Sequence, residues 1–269
     1  MNHVYYVFPE GKFKAETFSY DDNTPEENRH LVEMFNDYHV KATFNLNAGF
    51  LKPGTEDEVR RMYQGHEVAC HTDTHPTIAR CPMGEVIKEI SEGKRKLERI
   101  VGYPVRGFAY PNRSYSDEIV SALKSCGIRY ARMGEVTNDF KLPQDYYHWM
   151  GSCHHTEGLA ETADAFLERN KQQYLFLCYV WGHGFEFSRD NNWSIMEDFL
   201  NKTAQKPETW YCTNIQFADY MDACHALQFT WDNSVVYNPS ALTCWLQVNN
   251  SEIIAARPGE LTKIGEVNE

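Results

Sequence analysis

Short apolar, β-prone runs alternate with helical stretches along most of this 269-residue chain, and that alternation restricts its fold more than any other feature. The runs fall at 13–20, 41–47, 66–70, 105–110, 128–132, 174–181 and 209–212. A helix between two strands carries the chain back to the end where it started, so repeated βα units build a parallel sheet. Seven such units predict an α/β fold, with the sheet curled into a closed or nearly closed barrel. The helices have legible ends. Thr55-Glu56-Asp57-Glu58 reads as a capping box for a helix running to Gln64. Val86, Ile87, Ile90, Leu97 and Ile100 recur at helical spacing before a stop at Gly102, and the helix over 116–126 ends at Gly127.

After about residue 228 the pattern changes. Runs at 234–237, 243–248 and 253–256, with turn signals at Asn249-Asn250 and Pro258-Gly259, predict antiparallel strands. The expected organisation is a barrel over 1–228 and a small C-terminal β appendage over 229–269. An apolar share of 42% is enough to build a core of that size, which excludes a disordered chain. The net charge of −12 speaks against nucleic acid or an anionic membrane as partner. The first residues lack a basic segment followed by an apolar stretch, so a cytoplasmic location is expected. Eight cysteines without a C-x-x-C pair are expected to be reduced and structural.

The polar residues that could carry chemistry gather where strands end. Asp21 and Asp22 follow the first run, His71 and His75 the third, Pro111 and Asn112 the fourth, and His183 the sixth. In a parallel barrel these positions meet at one rim, where barrel active sites are built. Alone, the paired aspartates could cap a helix, and the histidine pair could lie on the surface. Together, a carboxylate and two imidazoles form the ligand set of a hydrolytic metal centre with an open position. The second carboxylate would then be free to act as a base. His183 stands between Gly182 and Gly184, which leaves its ring accessible. Arg106 lies in an apolar run and needs a carboxylate partner, for which Asp21 is the expected choice. Cys153, His154 and His155 form another candidate metal cluster, read as part of a rim loop.

Several of these segments resemble the motifs of the polysaccharide deacetylase family, also known as the NodB-homology family or carbohydrate esterase family 4. Phe18-Ser19-Tyr20-Asp21-Asp22 resembles the first motif, and His71-Thr72-Asp73-Thr74-His75 is similar to the second, H-[ST]-x-x-H. Arg106 to Pro111 resembles the third, while Trp149 and the Trp181–His183 segment resemble the fourth and fifth. The likeness spans roughly 13–220 and implies a distorted (β/α)7 barrel. It implies that Asp22, His71 and His75 hold one divalent metal, commonly zinc, with cobalt or nickel as alternatives. By the same resemblance Asp21 is the general base, Arg106 orients it, and His183 is the general acid. Pro111, Asn112 and Trp149 would face the substrate, an acetylated sugar or oligosaccharide. Two positions depart from the family pattern: Asn112 stands where tyrosine is frequent, and His148 stands where a carboxylate tunes the acid. The expected activity is metal-dependent removal of acetyl groups from an N-acetylated or O-acetylated sugar. The alternatives are an amidohydrolase acting on a non-sugar C–N bond and a sugar-binding module that has lost turnover.

Overall fold

The computed structural model describes residues 2–265. A short strand, β1 (Val4–Val7), precedes β2 (Lys14–Asp21), α1 (Pro25–Asp37), β3 (Ala42–Leu46) and α2 (Glu56–Met62). Next come β4 (Glu67–Cys70), α3 (Met83–Val101), β5 (Gly107–Ala109), α4 (Asp117–Ser125) and β6 (Tyr130–Val136). Then follow β7 (Trp149–Gly151), β8 (Cys153–His154), α5 (Leu159–Leu167), β9 (Phe176–His183), α6 (Gly184–Asp190) and α7 (Ser194–Thr203). The chain continues through β10 (Thr209–Tyr211), α8 (Asn214–His225), β11 (Gln228–Phe229) and β12 (Val235–Tyr237). It finishes with β13 (Cys244–Val248), β14 (Glu252–Ala256) and β15 (Leu261–Lys263).

Strands β2 to β6 pair in sequence, and β2 also pairs with β9, all in parallel. The remaining gap is spanned by one bent segment, whose first half, β7, pairs with β6 and whose second half, β8, pairs with β9. The result is a nearly closed (β/α) barrel with seven strand positions. The run at 209–212, expected to be the seventh, lies outside this ring. β3 covers only Phe18 to Asp21 of β2, and β10 takes the free edge of Lys14 to Glu16. The segment that replaces it, Trp149 to His154, is short and broken at Ser152, so it leaves no strand-like run in the sequence.

All eight residues of β2 are buried, as a strand covered on both faces requires. Its side chains alternate. Phe18 and Tyr20 pack on Phe35 of α1, whereas Thr17, Ser19 and Asp21 point into the barrel. The first turn of α8 closes the lower end of the barrel. Asn214 receives the Thr17 hydroxyl at 2.8 Å, and its own backbone N–H donates to Thr43 Oγ1 at 3.0 Å. At helix ends, Ser116 caps α4 by accepting the Ile119 N–H, and Gly102 ends α3 at φ 78°. Thr55 behaves differently from the expected capping box, because its hydroxyl donates to the Lys52 carbonyl at 2.7 Å.

The C-terminal strands are antiparallel, with β13 between β1 and β14, and β12 between β11 and β15. Their inner residues Val236, Leu246 and Val248 share one core with Phe217 and Met221 of α8 and Tyr179 of β9. The Tyr220 hydroxyl donates to the Val7 carbonyl and accepts the Trp245 N–H, joining α8 to both neighbours. Residue 1 of the expected barrel and residues 266–269 of the expected appendage lie outside the described residues. All eight cysteines are free thiols. Among the described residues no helix is long and apolar enough to cross a membrane.

Glu16 faces the helices from β2 with one oxygen on Thr203 Oγ1 at 3.1 Å and the other without a partner. Burial pushes its carboxyl up to about 8, against only a small opposing effect of Thr203. A raised folded-state pKa means that the folded chain holds a proton the unfolded chain gives up. Stability contributed by this group is therefore present below the unfolded value of about 4.5 and is lost as pH rises toward 8. Glu16→Gln should stabilise the fold relative to the parent, by little at pH 5 and by a few kcal/mol (on the order of 3) at pH 8. Urea unfolding at the two pH values measures this; an equal effect at both would refute the assignment.

Candidate active site

A cleft of about 700 Å³ opens at the C-terminal ends of the barrel strands, and Asp21, Asp22, His71, His75, Asn112 and His183 all line it. Three of the six, with Thr72 beside His71, sit on backbone that is costly to form. Asp22 turns off β2 at φ 73°, Thr72 and His75 have φ 69° and 59°, and Asn112 has φ 50°. Non-glycine residues rarely adopt this left-handed region, and their concentration at one rim marks a site whose surroundings hold it in place. The holding groups are identifiable. Glu89 of α3 accepts the N–H groups of Asp73 and Thr74 and the Thr74 hydroxyl, at 2.7–3.0 Å. Gly93 lets α3 approach this loop, since a Cβ there would sit 2.8 Å from the Thr72 carbonyl carbon. Asn28 fixes the turn after β2 by donating to the Asp22 carbonyl at 3.0 Å.

His71 is 2% exposed and its Nδ1 lies 2.8 Å from the Ala109 carbonyl, which can only accept. The ring proton therefore sits on Nδ1, and Nε2 presents its lone pair to the cleft. That Nε2 is 3.9 Å from Asp22 Oδ1, and Nε2 of His75 is 3.8 Å from the same oxygen. Two imidazoles and one carboxylate, each with a donor atom turned to the others, fit a divalent metal of the zinc type. The histidine pair acts from a loop, not from one face of a helix.

Asp21 is 3% exposed and doubly held. Its Oδ1 accepts from Asn45 Nδ2 at 2.9 Å, and its Oδ2 accepts from Arg132 Nη2. Burial alone would push the carboxyl up. Arg132, with His71 and His183, outweighs it and holds Asp21 down at about 2. Arg132 is itself buried, donates to the Met133 carbonyl at 2.8 Å, and stacks over Trp181 at 4.3 Å.

The arginine expected in this role is elsewhere. Arg106 makes a two-pronged ion pair with Asp219 of α8. It precedes β5, whereas Ala109 at the other end of that strand is level with Arg132. Arg106 thus stands at the opposite end of the barrel from Asp21. Arg132 closes the run 128–132, which also holds Arg129, and lies within β6, so the sequence offered no signal that singled it out. Trp149 also leaves the expected set. At 2% exposure it is enclosed by Tyr130, Tyr146, Tyr179 and Phe217, with ring centroids 5.1–5.6 Å apart. Pro111 is buried, and only Asn112 of that pair reaches the cleft, its Nδ2 donating to Thr77 Oγ1 at 3.1 Å.

His183 ends β9, level with Asp21 in the sheet register. Its Nδ1 is 3.2 Å from Glu186 Oε2. Burial disfavours the charged ring, but Glu186 and Asp21 prevail and raise His183 above the usual histidine value. His148, at the position where the resemblance leads one to expect a carboxylate, packs edge-on against Tyr115 at 4.9 Å. The carboxylate comes from Glu186, one helical turn after His183 in sequence.

Residues 9–131 match the family model described as polysaccharide deacetylase. The chain resembles the polysaccharide deacetylases. A chitooligosaccharide deacetylase of Sinorhizobium fredii is 26% identical over 121 residues, covering 45% of this chain and 54% of the relative. The peptidoglycan-N-acetylmuramic acid deacetylase PdaC of Bacillus subtilis is 28% identical, covering 44% of this chain and 25% of the relative. The chain thus matches about half the length of the first relative and a quarter of the second. A solved structure from Mycobacterium smegmatis superposes with TM-score 0.61 at 14% identity, over 81% of this chain and 93% of that one, and shows the same fold.

The two arginines should separate by stability. Arg132→Met strands the buried Asp21 carboxylate and should cost about 3–5 kcal/mol. The Arg106–Asp219 pair is partly solvated, 39% and 31% exposed, and Arg106→Met should cost less than about 1 kcal/mol. Chemical denaturation of both variants tests the assignment, and the reverse order would overturn it.

Proposed function

We propose that this chain is a metal-dependent hydrolase that removes the acetyl group from an N-acetylated sugar or oligosaccharide. The observation that carries the proposal is the placement of an ionised buried Asp21 beside the Asp22–His71–His75 cluster, with His183 across the same cleft. The likeness to chitooligosaccharide and peptidoglycan deacetylases supports an acetylated amino sugar as the substrate class. An O-acetyl ester fits the same groups and is the easier bond to break.

Asp22, His71 and His75 would hold the cation, zinc or else cobalt or nickel. When bound, it supplies positive charge that polarises the acetyl carbonyl and acidifies water. Asp21, kept ionised by Arg132, orients the attacking water and takes its proton as the new C–O bond forms. A carboxylate held this low is a weak base but is deprotonated at every working pH. His183 stands on the other side with Nδ1–H donating to Glu186, which favours the charged ring, and in that imidazolium Nε2 carries the second proton, the one that can be given away. As the C–N bond breaks, that proton passes to the departing nitrogen, leaving acetate and the free amine. The backbone N–H of Asn112, on a cleft-lining turn, can donate to the carbonyl oxygen as negative charge develops there.

The test is acetate release from N-acetylated oligosaccharides and from acetamides of other amines, with chelated protein and with zinc or cobalt restored. Metal-dependent release from the sugars is expected, and release confined to non-sugar amides would point instead to the amidohydrolase alternative. Asp21→Asn should lower turnover by at least about 10³-fold while the cation on Asp22, His71 and His75 stays bound. His183→Ala should damage amide substrates far more than activated esters, whose leaving groups need no proton. Equal losses on both would remove His183 from the acid role.

A further inference from the structure

The cleft holds a second group of possible ligands, in which His183 and its partner Glu186 are joined by His154. Nε2 of His154 and Nδ1 of His183 each lie 3.2 Å from Oε2 of Glu186, and the three atoms are all within 4.8 Å of one another. The His183 backbone N–H approaches the same oxygen at 3.1 Å, and Nε2 of His155 at 3.5 Å. One carboxylate oxygen has about two lone-pair directions, so four nitrogens around it exceed what hydrogen bonding alone can satisfy. The other oxygen of Glu186 has only Arg189 nearby, at 3.9 Å. His155 shows the same shortage from its own side: it is 1% exposed, and neither ring nitrogen has a hydrogen-bond partner.

We propose that His154, His183 and Glu186 form a second divalent-cation site, separate in its ligands from the Asp22–His71–His75 cluster and facing the same cleft. The spacing suits it. Zinc-to-ligand bonds of about 2.0–2.1 Å set tetrahedral edges of about 3.3–3.4 Å, close to the 3.2 Å separations here. The first cluster is set wider, at 3.8 and 3.9 Å. Nδ1 of His154 lies 2.8 Å from the Thr156 hydroxyl and accepts the Thr156 N–H at 3.3 Å, so its Nε2–H faces Glu186, and a cation here would displace that proton. His155, stacked on Phe187 at 4.0 Å, cannot turn away, and water on the cation's open position supplies the partner it lacks. With Nδ1 of His183 ligated, its Nε2–H belongs to a neutral ring, so a cation at this site and His183 acting as the general acid are alternative states of the cleft.

Cobalt(II) titration of metal-free full-length protein, followed by visible absorption and by metal content after gel filtration, decides the matter without reference to activity. The parent chain should take up two equivalents. Glu186→Gln and, independently, His154→Ala should each weaken one of them by at least about 100-fold and keep the other. His75→Ala should lose the opposite one, and circular dichroism should show all three variants folded. Saturation of the parent at one equivalent that both Glu186→Gln and His154→Ala retain would overturn the proposal. So would a second equivalent that survives both substitutions. A single equivalent lost in Glu186→Gln but kept in His75→Ala would support this site while removing the first.

Discussion

Asp21 and Arg132 meet inside the barrel, and the arrangement of the rim depends on that contact. A carboxylate with 3% exposure would ordinarily be neutral, because burial disfavours its charge. The guanidinium reverses this, and the cost of burying both ions is recovered only because each has further partners. Asn45 holds the free oxygen of Asp21, while the Met133 carbonyl and the Trp181 ring hold Arg132. Asp21 can therefore stand beside Asp22 and two imidazoles as a fixed anion. Its neighbour on the chain, Asp22, turns outward at φ 73° and is left to the cleft. Two adjacent carboxylates thus acquire separate roles from a single change of backbone direction.

Histidines divide in a similar way. His71 has one nitrogen committed to the Ala109 carbonyl, which aims the other at Asp22. His183 has one nitrogen committed to Glu186, which aims the other into the cleft. For His71 the carbonyl fixes the neutral tautomer, whereas for His183 the carboxylate favours the charged ring. Glu186 serves more than one ring, and the surplus of nitrogen around it leads to the second cation site. A barrel rim permits this crowding because neighbouring strands end side by side, so residues from β8 and β9 converge without a long loop.

The lower half of the molecule has a different task. Tyr130, Trp149, Tyr179 and Phe217 fill the barrel beneath the site, and the first turn of α8 closes it with hydrogen bonds from Asn214. The antiparallel strands extend that same core instead of forming one of their own. Arg106 belongs to this end, clamping β5 to α8 through Asp219. An arginine and a tryptophan that look functional in the sequence are thus part of what keeps the barrel closed.

Much of the fold and part of the site could be read from the chain itself. Alternating βα units specify a parallel barrel because periodicity and chain direction are local properties. The positions of Asp21, Asp22, His71, His75 and His183 at strand ends follow from the same pattern. What the sequence could not supply was pairing across the barrel. Whether Arg106 or Arg132 faces Asp21 depends on which end of a strand each occupies, and β5 is only three residues long, so a small shift reverses the answer. The closing strand, broken at Ser152, has too little periodicity to declare itself. Glu186 lies three residues after His183, yet only the turn of α6 brings its carboxylate back to the ring, where His154 joins it from another strand. Periodicity determined the scaffold and the rim positions; long-range contacts, which carry no local signature, decided the partner of each charge.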